Sequence, residues 1–573
     1  MKSINNIIPK HLKRYIVTQD YSQYSEINQS TWRFIMKISI DFFKKHGHEI
    51  YLDGLNKTGI SLDEIPKISN INKKLNKFNW TAIPVRGFIP PNVFMEFQSL
   101  KILPIAADMR THKHLTYTPA PDIVHEAAGH APIIANKDYS NYLINYGEVA
   151  NKAIMSSEDM DLYYAIRALS DIKEKPNTST DDIKKYNIKL KKAYQNITYT
   201  SESALLSRMN WWTVEYGLIG DINSYKIYGA GLLSSVEESE NCLNNTIKKI
   251  PFSIDCISYK YDITEQQPQL FVTKNFKHLS KILEELSNKM SYKIGGEYGL
   301  KEAIKAKTLC TIEIDHNIQI SGIVDSFISK NNIPIFIKTT GKTQLSFNKK
   351  ELKNHGTEYH INGYSCPIGK LKACNKSIDK LSNHEIKRLN IKIDQTIKLE
   401  FLSGIKVIGT IKEINKKLSR IIIIKFNNCT VKYNSKILFK PEWGDFDLIC
   451  GESINSVYGG VADKLNYNKS EYNKSKYVQL NKKQPCNNSE LNKLHKQSKD
   501  LIKKYSDKKL LKIFNKAIEK YPDEWLILYE LLEISNTYSN KEITNKIKKS
   551  FDKFINKKSP ESKVIKRGLN LIK

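Results

Sequence analysis

No two cysteines in this chain stand as Cys-x-x-Cys, and eight cysteines scattered singly over 573 residues make neither a disulfide framework nor a thiolate zinc site. Long apolar runs are missing too: no window reaches the roughly 18 residues that a membrane span needs. Lys10, Lys13 and Arg14 break the stretch 1–17 before a secretory apolar segment can form. The expectation is a reducing, cytoplasmic setting and no membrane. Acidic residues are scarce beside basic ones, 60 against 90, for a net charge of +30. That excess invites a nucleic-acid reading, since a basic face releases counterions from phosphate. Lysine, however, is spread along the whole chain among Asn and Ile, as in 244–250, and arginines do not interleave with aromatics as a single-strand platform would require. Compositional drift explains the charge better.

What is present is globular. Apolar residues make up 40% and aromatics 10% of a chain long enough for about three or four domains. Trp32, Phe34, Ile35, Ile38, Ile40 and Phe42-Phe43 recur at spacings that make a buried helical face, and further helical patterns cover 140–172, 184–220 and 275–290. Prolines in Ile83-Pro84-Val85-Arg86-Gly87-Phe88-Ile89-Pro90-Pro91 read as a loop. From 303 to 445 the pattern turns to short β-branched runs, an all-β domain of unassigned role. Within it, 311–345 weakly resembles 396–431, and two copies of a small β unit or chance similarity explain this equally. Residues 446–488, around Gly459-Gly460, read as loop and linker, and 489–573 as a helical tail of the kind that binds a partner or a second copy.

Chemistry concentrates in Tyr117-Thr118-Pro119-Ala120-Pro121-Asp122-Ile123-Val124-His125-Glu126-Ala127-Ala128-Gly129-His130-Ala131-Pro132. Two histidines and a carboxylate from elsewhere can hold Fe(II) on one face and leave the other exchangeable. The zincin pattern fails, because it needs histidines at i and i+4 and position 129 is Gly. Five residues turn a regular helix through about 500°, so the two rings diverge by about 140° unless the helix loosens. Gly129 could permit that and Pro132 could end the helix. Spacing alone leaves metal binding and two structural histidines both open.

Three further segments occur in order: Trp211-Trp212-Thr213-Val214-Glu215-Tyr216-Gly217, Tyr228-Gly229-Ala230-Gly231-Leu232-Leu233-Ser234-Ser235 and Thr264-Glu265-Gln266-Gln267-Pro268. With them, residues 80–300 resemble the pterin-dependent aromatic amino acid hydroxylases, with a weaker extension toward the N-terminus. The resemblance implies a mainly α catalytic domain over 1–302, followed by the β-rich domain and the helical tail, in a multidomain protein. It implies Fe(II), a tetrahydropterin and O₂, with His125, His130 and Glu215 as iron ligands. Ser234 would orient a ligand histidine or the substrate, and Glu126 would be the pterin-side carboxylate. Phe88, Ile89 and Phe94 would line the pterin, and closure of 84–97 would gate oxygen activation. Arg110 would clamp the substrate carboxylate, assisted by Thr118, with Asp122 orienting Arg110 or a ligand histidine. Pro121, Trp211 and Ile263 would line the ring pocket.

The resemblance also implies the substrate: Ile263 stands where the tyrosine hydroxylases carry an acidic residue, and Trp211 is more like the phenylalanine than the tryptophan enzymes, so the free amino acid is expected to be phenylalanine, converted to tyrosine; tyrosine and tryptophan stay open, since pocket swaps shift specificity only modestly. The alanines at 127 and 128 replace bulkier family residues and would widen the pterin side. With about 80 residues before the matching segment, no N-terminal regulatory domain is expected. Two readings of other classes compete: a zinc hydrolase on the same triad, and a basic nucleic-acid-binding protein with a degenerate catalytic domain. Neither accounts for the ordered motifs.

Overall fold

The computed structural model describes residues 8–87, 89–112, 115, 121–174, 178–262, 265–315, 317–467, 489–557 and 559–572. Its first long helix, Glu26–His46, starts where Ser25 and Asn28 cap each other reciprocally, and it ends at Gly47. Strand β1 (Thr81–Val85) pairs in parallel with β2 (Ile102–Ala106). Residues 83–85 are therefore strand, not loop: Pro84 sits in a two-stranded sheet where its missing donor costs little. The Pro91–Ser99 helix follows at once, with proline at its first turn. Residues 84–85 and 91–97 thus lie in a strand and a helix rather than in a loop.

Helices Lys137–Ala150, Ser157–Glu174, Thr180–Gln195 and Glu202–Asn210 come next, and the helical path stops at Glu215. Beyond it β3 (Leu218–Asp221) is strand, and it joins β4 (Ser224–Ile227), β5 (Lys248–Pro251) and β6 (Gln269–Thr273) in the order β4-β3-β6-β5. The helical pattern expected over 184–220 ends at Glu215, and Gly220 lies in the strand that follows, at φ +116°.

The β-rich part is a duplication. Strands β7 (Leu309–Ile314), β8 (Ile318–Lys330) and β9 (Ile333–Phe347) form one antiparallel meander, extended by β10 (Lys350–Glu351) and β11 (Ser365–Pro367). Strands β12 (Thr396–Glu400), β13 (Ile405–Lys417) and β14 (Arg420–Tyr433) form another, extended by β15 (Lys436–Phe439) and β16 (Phe446–Ile449). Each central hairpin turns through two residues at positive φ, Asn331-Asn332 and Leu418-Ser419. Register shifts follow Ser321, Val324 and Ile328 in β8 and Ile408, Ile411 and Asn415 in β13, at matching offsets. Chance similarity does not reproduce the same bulges.

Strand β17 (Ile454–Gly459) then returns to pair antiparallel with β7, closing the first sheet. The linker expected over 446–488 is therefore sheet over 446–449 and 454–459, and residues 468–488 lie outside the described residues. Gly459 is there for proximity, since a Cβ would meet the Ala153 carbonyl oxygen at 2.3 Å. Leu300, Ala303 and Ala306 of the Gly296–Ala306 helix pack into the β-rich core. A short Asn383–Arg388 helix interrupts the otherwise β region.

The tail helices, among them Glu490–Lys503, Trp525–Thr537 and Pro560–Asn570, share one core with the N-terminal part. The apolar stripe anticipated for a partner is spent on this chain's own Glu26–His46 helix. Phe34 meets Trp525 and Tyr529 edge-on, each with ring centroids 4.8 Å apart. Beside them Glu530 accepts from Arg33 Nη2 at 2.5 Å, from Ser30 Oγ, and from His495 Nδ1 at 2.8 Å. Burial raises the Glu530 carboxyl, but His495 and Arg33 outweigh it and hold it below the usual carboxylate range. The seven described cysteines are free, and no described helix is long and apolar enough to cross a membrane.

Because the folded carboxyl titrates lower than the unfolded one, Glu530 stabilises the docked tail above the ordinary carboxylate pKa, and that contribution is lost as pH falls through the folded value. Acidification below about pH 4 is expected to expose 489–573 to protease before the rest unfolds. Glu530→Gln is expected to do so at neutral pH, at a cost of about 2 kcal/mol. Equal protease resistance in the variant and the parent would remove the clamp from the account.

Candidate active site

The segment Val124–His130 is a π-helix, in which hydrogen bonds run from each residue to the fifth one along. That wide turn brings His125 and His130 together, so the 140° divergence of a regular helix disappears. Their Nε2 atoms lie 3.2 Å apart. A second π-helical turn, Trp211–Glu215, supplies the carboxylate. Glu215 Oε2 is 3.4 Å from His125 Nε2, and Oε1 is 3.4 Å from His130 Nε2. The two imidazole nitrogens thus face the two oxygens of one carboxylate, and one donor atom from each residue lies within 4.8 Å of the others, a grouping that suits one face of a coordination polyhedron.

Pro132 does not end the helix. It lies in the first turn of Ala131–Ile134, where the wide turn gives way to an α-helix and an N–H can be spared. Gly129 serves proximity rather than strain: a Cβ there would lie 2.7 Å from the Ala230 carbonyl oxygen of the Ala230–Ser234 helix. Gly229 likewise lets that helix approach the Glu215 carbonyl, which a Cβ would meet at 2.4 Å. Ala127 and Ala128 are buried in the main core, so small residues there tighten the interior and do not widen a cofactor site.

Ser234 fixes the first ligand. Its hydroxyl donates to the Ala230 carbonyl at 2.7 Å and so accepts from His125 Nδ1–H at 2.9 Å, which leaves the His125 Nε2 lone pair for a metal. Asp122 joins the same network from the other side. Its carboxylate takes the Arg110 guanidinium bidentately, Nε to Oδ2 and Nη2 to Oδ1, both at 2.8 Å, and accepts the His125 backbone N–H at 3.1 Å. Arg110 Nη1 donates to the Ser234 carbonyl at 3.0 Å. Asp122 thus orients Arg110 directly and the ligand helix through its backbone.

Electrostatics agree with a metal at the triad. Burial pushes the His125 imidazole down to about 4 against the pull of Glu215. At His130 burial also works downward, but Glu215 and Glu126 overcome it and raise the group. Burial raises Glu215, yet His130 and His125 bring it below its ordinary value. Glu126 is pushed up to about 8, by burial first and then by Glu215 and Asp122. Its Oε2 is buried without a hydrogen-bond partner, 3.9 Å from His130 Nε2, as suits a carboxyl awaiting a bound group.

Among the remaining expected residues, Trp211 is half-buried and stacks on Tyr216 and Tyr261, with ring centroids 4.6 and 4.5 Å away. Its Nε1 donates to Gln267 Oε1 at 3.2 Å, and Gln267 Nε2 donates to the Asp262 and Glu265 carbonyls. Gln267 and the two tyrosines had no assigned role in the sequence, although Gln267 stands in the third motif. Pro121 is half-buried just before the ligand helix, and Phe94 is half-buried on Pro91–Ser99. Ile89 packs on the small core of Ile83, Val85, Val93 and Phe97, so its side chain serves the scaffold. Phe88, Thr118 and Ile263 lie outside the described residues.

Residues 12–153 and 198–308 match the family described as biopterin-dependent aromatic amino acid hydroxylase, so the likeness reaches further toward the N-terminus than the motifs alone suggest. The unmatched interval holds the helical pair Ser157–Glu174 and Thr180–Gln195. A phenylalanine-4-hydroxylase from Mesorhizobium japonicum is 26% identical over 266 residues, which is 46% of this chain and 80% of that protein. One from Chromobacterium violaceum is 26% identical over 268 residues, covering 46% and 75%. A crystal structure of the latter with iron(III) and 7,8-dihydrobiopterin aligns at 24% identity and a TM-score of 0.38, over 48% of this chain and 88% of that one.

Ser234→Ala leaves the serine's backbone contact to Arg110 in place but releases the His125 ring. It is expected to weaken Fe(II) binding by roughly 10–100-fold in an anaerobic titration. Unchanged affinity would mean that something else sets the His125 tautomer.

Proposed function

We propose, given that the chain belongs through residues 12–153 and 198–308 to the biopterin-dependent aromatic amino acid hydroxylases, that it is an iron- and tetrahydropterin-dependent monooxygenase that hydroxylates the ring of free L-phenylalanine to give L-tyrosine. The observation that carries this reading is the convergence of His125, His130 and Glu215, whose imidazole Nε2 atoms lie 3.2 Å apart and each 3.4 Å from one of the two Glu215 carboxylate oxygens, joined through Ser234 and Asp122 to a buried arginine. Its relatives named phenylalanine-4-hydroxylase support the substrate. Iron and a reduced pterin, when bound, supply the reductive activation of O₂ that no side chain can perform.

The chain's own residues hold and orient. His125, His130 and Glu215 would hold the metal and leave positions open to exchangeable ligands. Glu126 sits on the same helix with a free carboxyl oxygen, placed to accept or supply a hydrogen bond at the pterin side. Arg110, made rigid by Asp122, offers its unused N–H groups to the amino acid carboxylate, a fork that lysine cannot reproduce. Trp211, held by Gln267 and flanked by tyrosines, gives the ring an apolar wall beside Pro121, and Ile263 would complete the pocket. Phe88 and Phe94 would flank the pterin and Thr118 would assist at the carboxylate. The chain is organised as this hydroxylase unit, a duplicated β unit from β7 to β17 against which the Gly296–Ala306 helix packs, and a helical tail that shares the core of the hydroxylase unit.

Purified protein given Fe(II), a tetrahydropterin and air is expected to convert phenylalanine to tyrosine, followed by mass, faster than it converts tyrosine or tryptophan. Pterin oxidation without any ring product would overturn the substrate assignment, and silence with iron bound would overturn the reaction class. Arg110→Lys is expected to keep iron and raise the phenylalanine KM at least 10-fold, the loss of a charge-assisted bidentate contact being worth about 1.5–3 kcal/mol. An unchanged KM would take Arg110 out of the substrate site.

A further inference from the structure

The β-rich part of the chain carries a buried cluster that the proposed hydroxylation does not use. His355 and His360 lie between β10 and β11 in the first repeat, and Asp447 lies on β16 in the second. One donor atom from each falls within 4.8 Å of the others. His355 Nδ1 is 3.3 Å from His360 Nε2, beside 3.2 Å for the histidine pair of the first site. Two zinc–imidazole bonds of about 2.05 Å at a tetrahedral angle place their nitrogens about 3.3 Å apart. The residues are 5%, 7% and 4% exposed, and Asp447 Oδ1 has no hydrogen-bond partner. A buried carboxylate oxygen left unpaired is costly, and a cation is the simplest group to satisfy it.

The backbone holds these side chains in place from both repeats. Leu345 N–H donates to the His355 carbonyl at 2.9 Å, and Thr343 N–H to that of His360 at 3.0 Å, which fixes the histidine segment on β9. Tyr364 Oη donates to the Asp447 carbonyl at 2.7 Å and accepts Ile449 N–H at 3.2 Å, which fixes β16 against the residues before β11. The nearest cation is Lys425, paired across the strand with Asp447 in register. Its ammonium lies 3.5 Å from Asp445 and 4.6 Å from the Tyr359 ring centroid. Asp447 is pushed up to about 6, by burial first and against the pull of Lys425.

We propose that His355, His360 and Asp447 bind a divalent transition-metal ion, of which Zn(II) is the natural representative, and that the ion clamps the two β repeats together. Two imidazoles and one carboxylate without a thiolate suit zinc and its neighbours rather than Ca(II) or Mg(II). A cavity of about 460 Å³ lined by His360, Asp447, Tyr359 and Trp443 adjoins the cluster and would admit water to a bound ion.

The test counts ions on the full-length protein and does not depend on hydroxylation. After chelation and reloading with Zn(II), the parent is expected to hold two ions per chain by plasma mass spectrometry. His360→Ala and Asp447→Asn are each expected to hold one, and Glu215→Ala, which removes the other site, is expected to hold one as well. Asp447→Asn keeps the shape of the side chain, so it reads the site even if His360→Ala fails to fold. Zn(II) is also expected to raise the melting temperature of Glu215→Ala but not of Glu215→Ala/Asp447→Asn. Two ions retained by Asp447→Asn, or a single ion in the parent that Glu215→Ala abolishes, would overturn the proposal and leave the cluster as a hydrogen-bonded His–His–Asp network.

Discussion

The five-residue spacing of His125 and His130 is the constraint on which the rest of the catalytic unit depends. An α-helix would point the two rings apart, and only a helix closing on its fifth residue brings both Nε2 atoms to one point. A wide turn is poorly stable by itself, so its surroundings must hold it. Asp122 accepts the His125 N–H at its start, and the Ala230–Ser234 helix presses against it closely enough that position 129 has no room for a side chain. The same contact delivers Ser234 to His125 and to Arg110. The His125–His130–Glu215 cluster, the Arg110–Asp122 pair and the core packing are thus one cooperative network.

The parts outside that network are arranged around it. The tail covers the face of the Glu26–His46 helix that carries Phe34, through aromatic contacts and the Glu530 clamp, and Glu524 reaches His112 at 2.6 Å, two residues from Arg110. The β-rich part meets the first unit where Gly459 abuts Ala153. Both additions rest on close, buried contacts rather than on flexible tethers.

Much of the site was legible in the sequence because it is local or carried by motifs. His125, His130, Glu215, Arg110, Asp122 and Ser234 all stand in segments whose residue types suit their chemistry, and the structure brings them together. The wide turn could be anticipated as a need, though the source of its tolerance could not: Gly129 and Pro132 were assigned strain and termination, and they serve close packing and a change of helical register. Gln267 escaped because its role is to hold Trp211 across the fold. Long-range pairing was the least legible. Strand β17 looked like a linker because its Gly and Asn content hides the alternation, and only the distant β7 makes it a strand. The duplication was visible as a faint repeat and became decisive through its matching bulges, which leave no mark on composition. The tail's helices were readable from their period, while their docking on Phe34 was not.

The account stands most directly on where iron sits. A crystal of the Fe(II)-loaded protein, measured at the iron absorption edge, is predicted to show an anomalous peak within about 2.2 Å of His125 Nε2, His130 Nε2 and a Glu215 carboxylate oxygen. A fully loaded crystal with no peak there, or with the two rings turned apart on a regular helix, would contradict it.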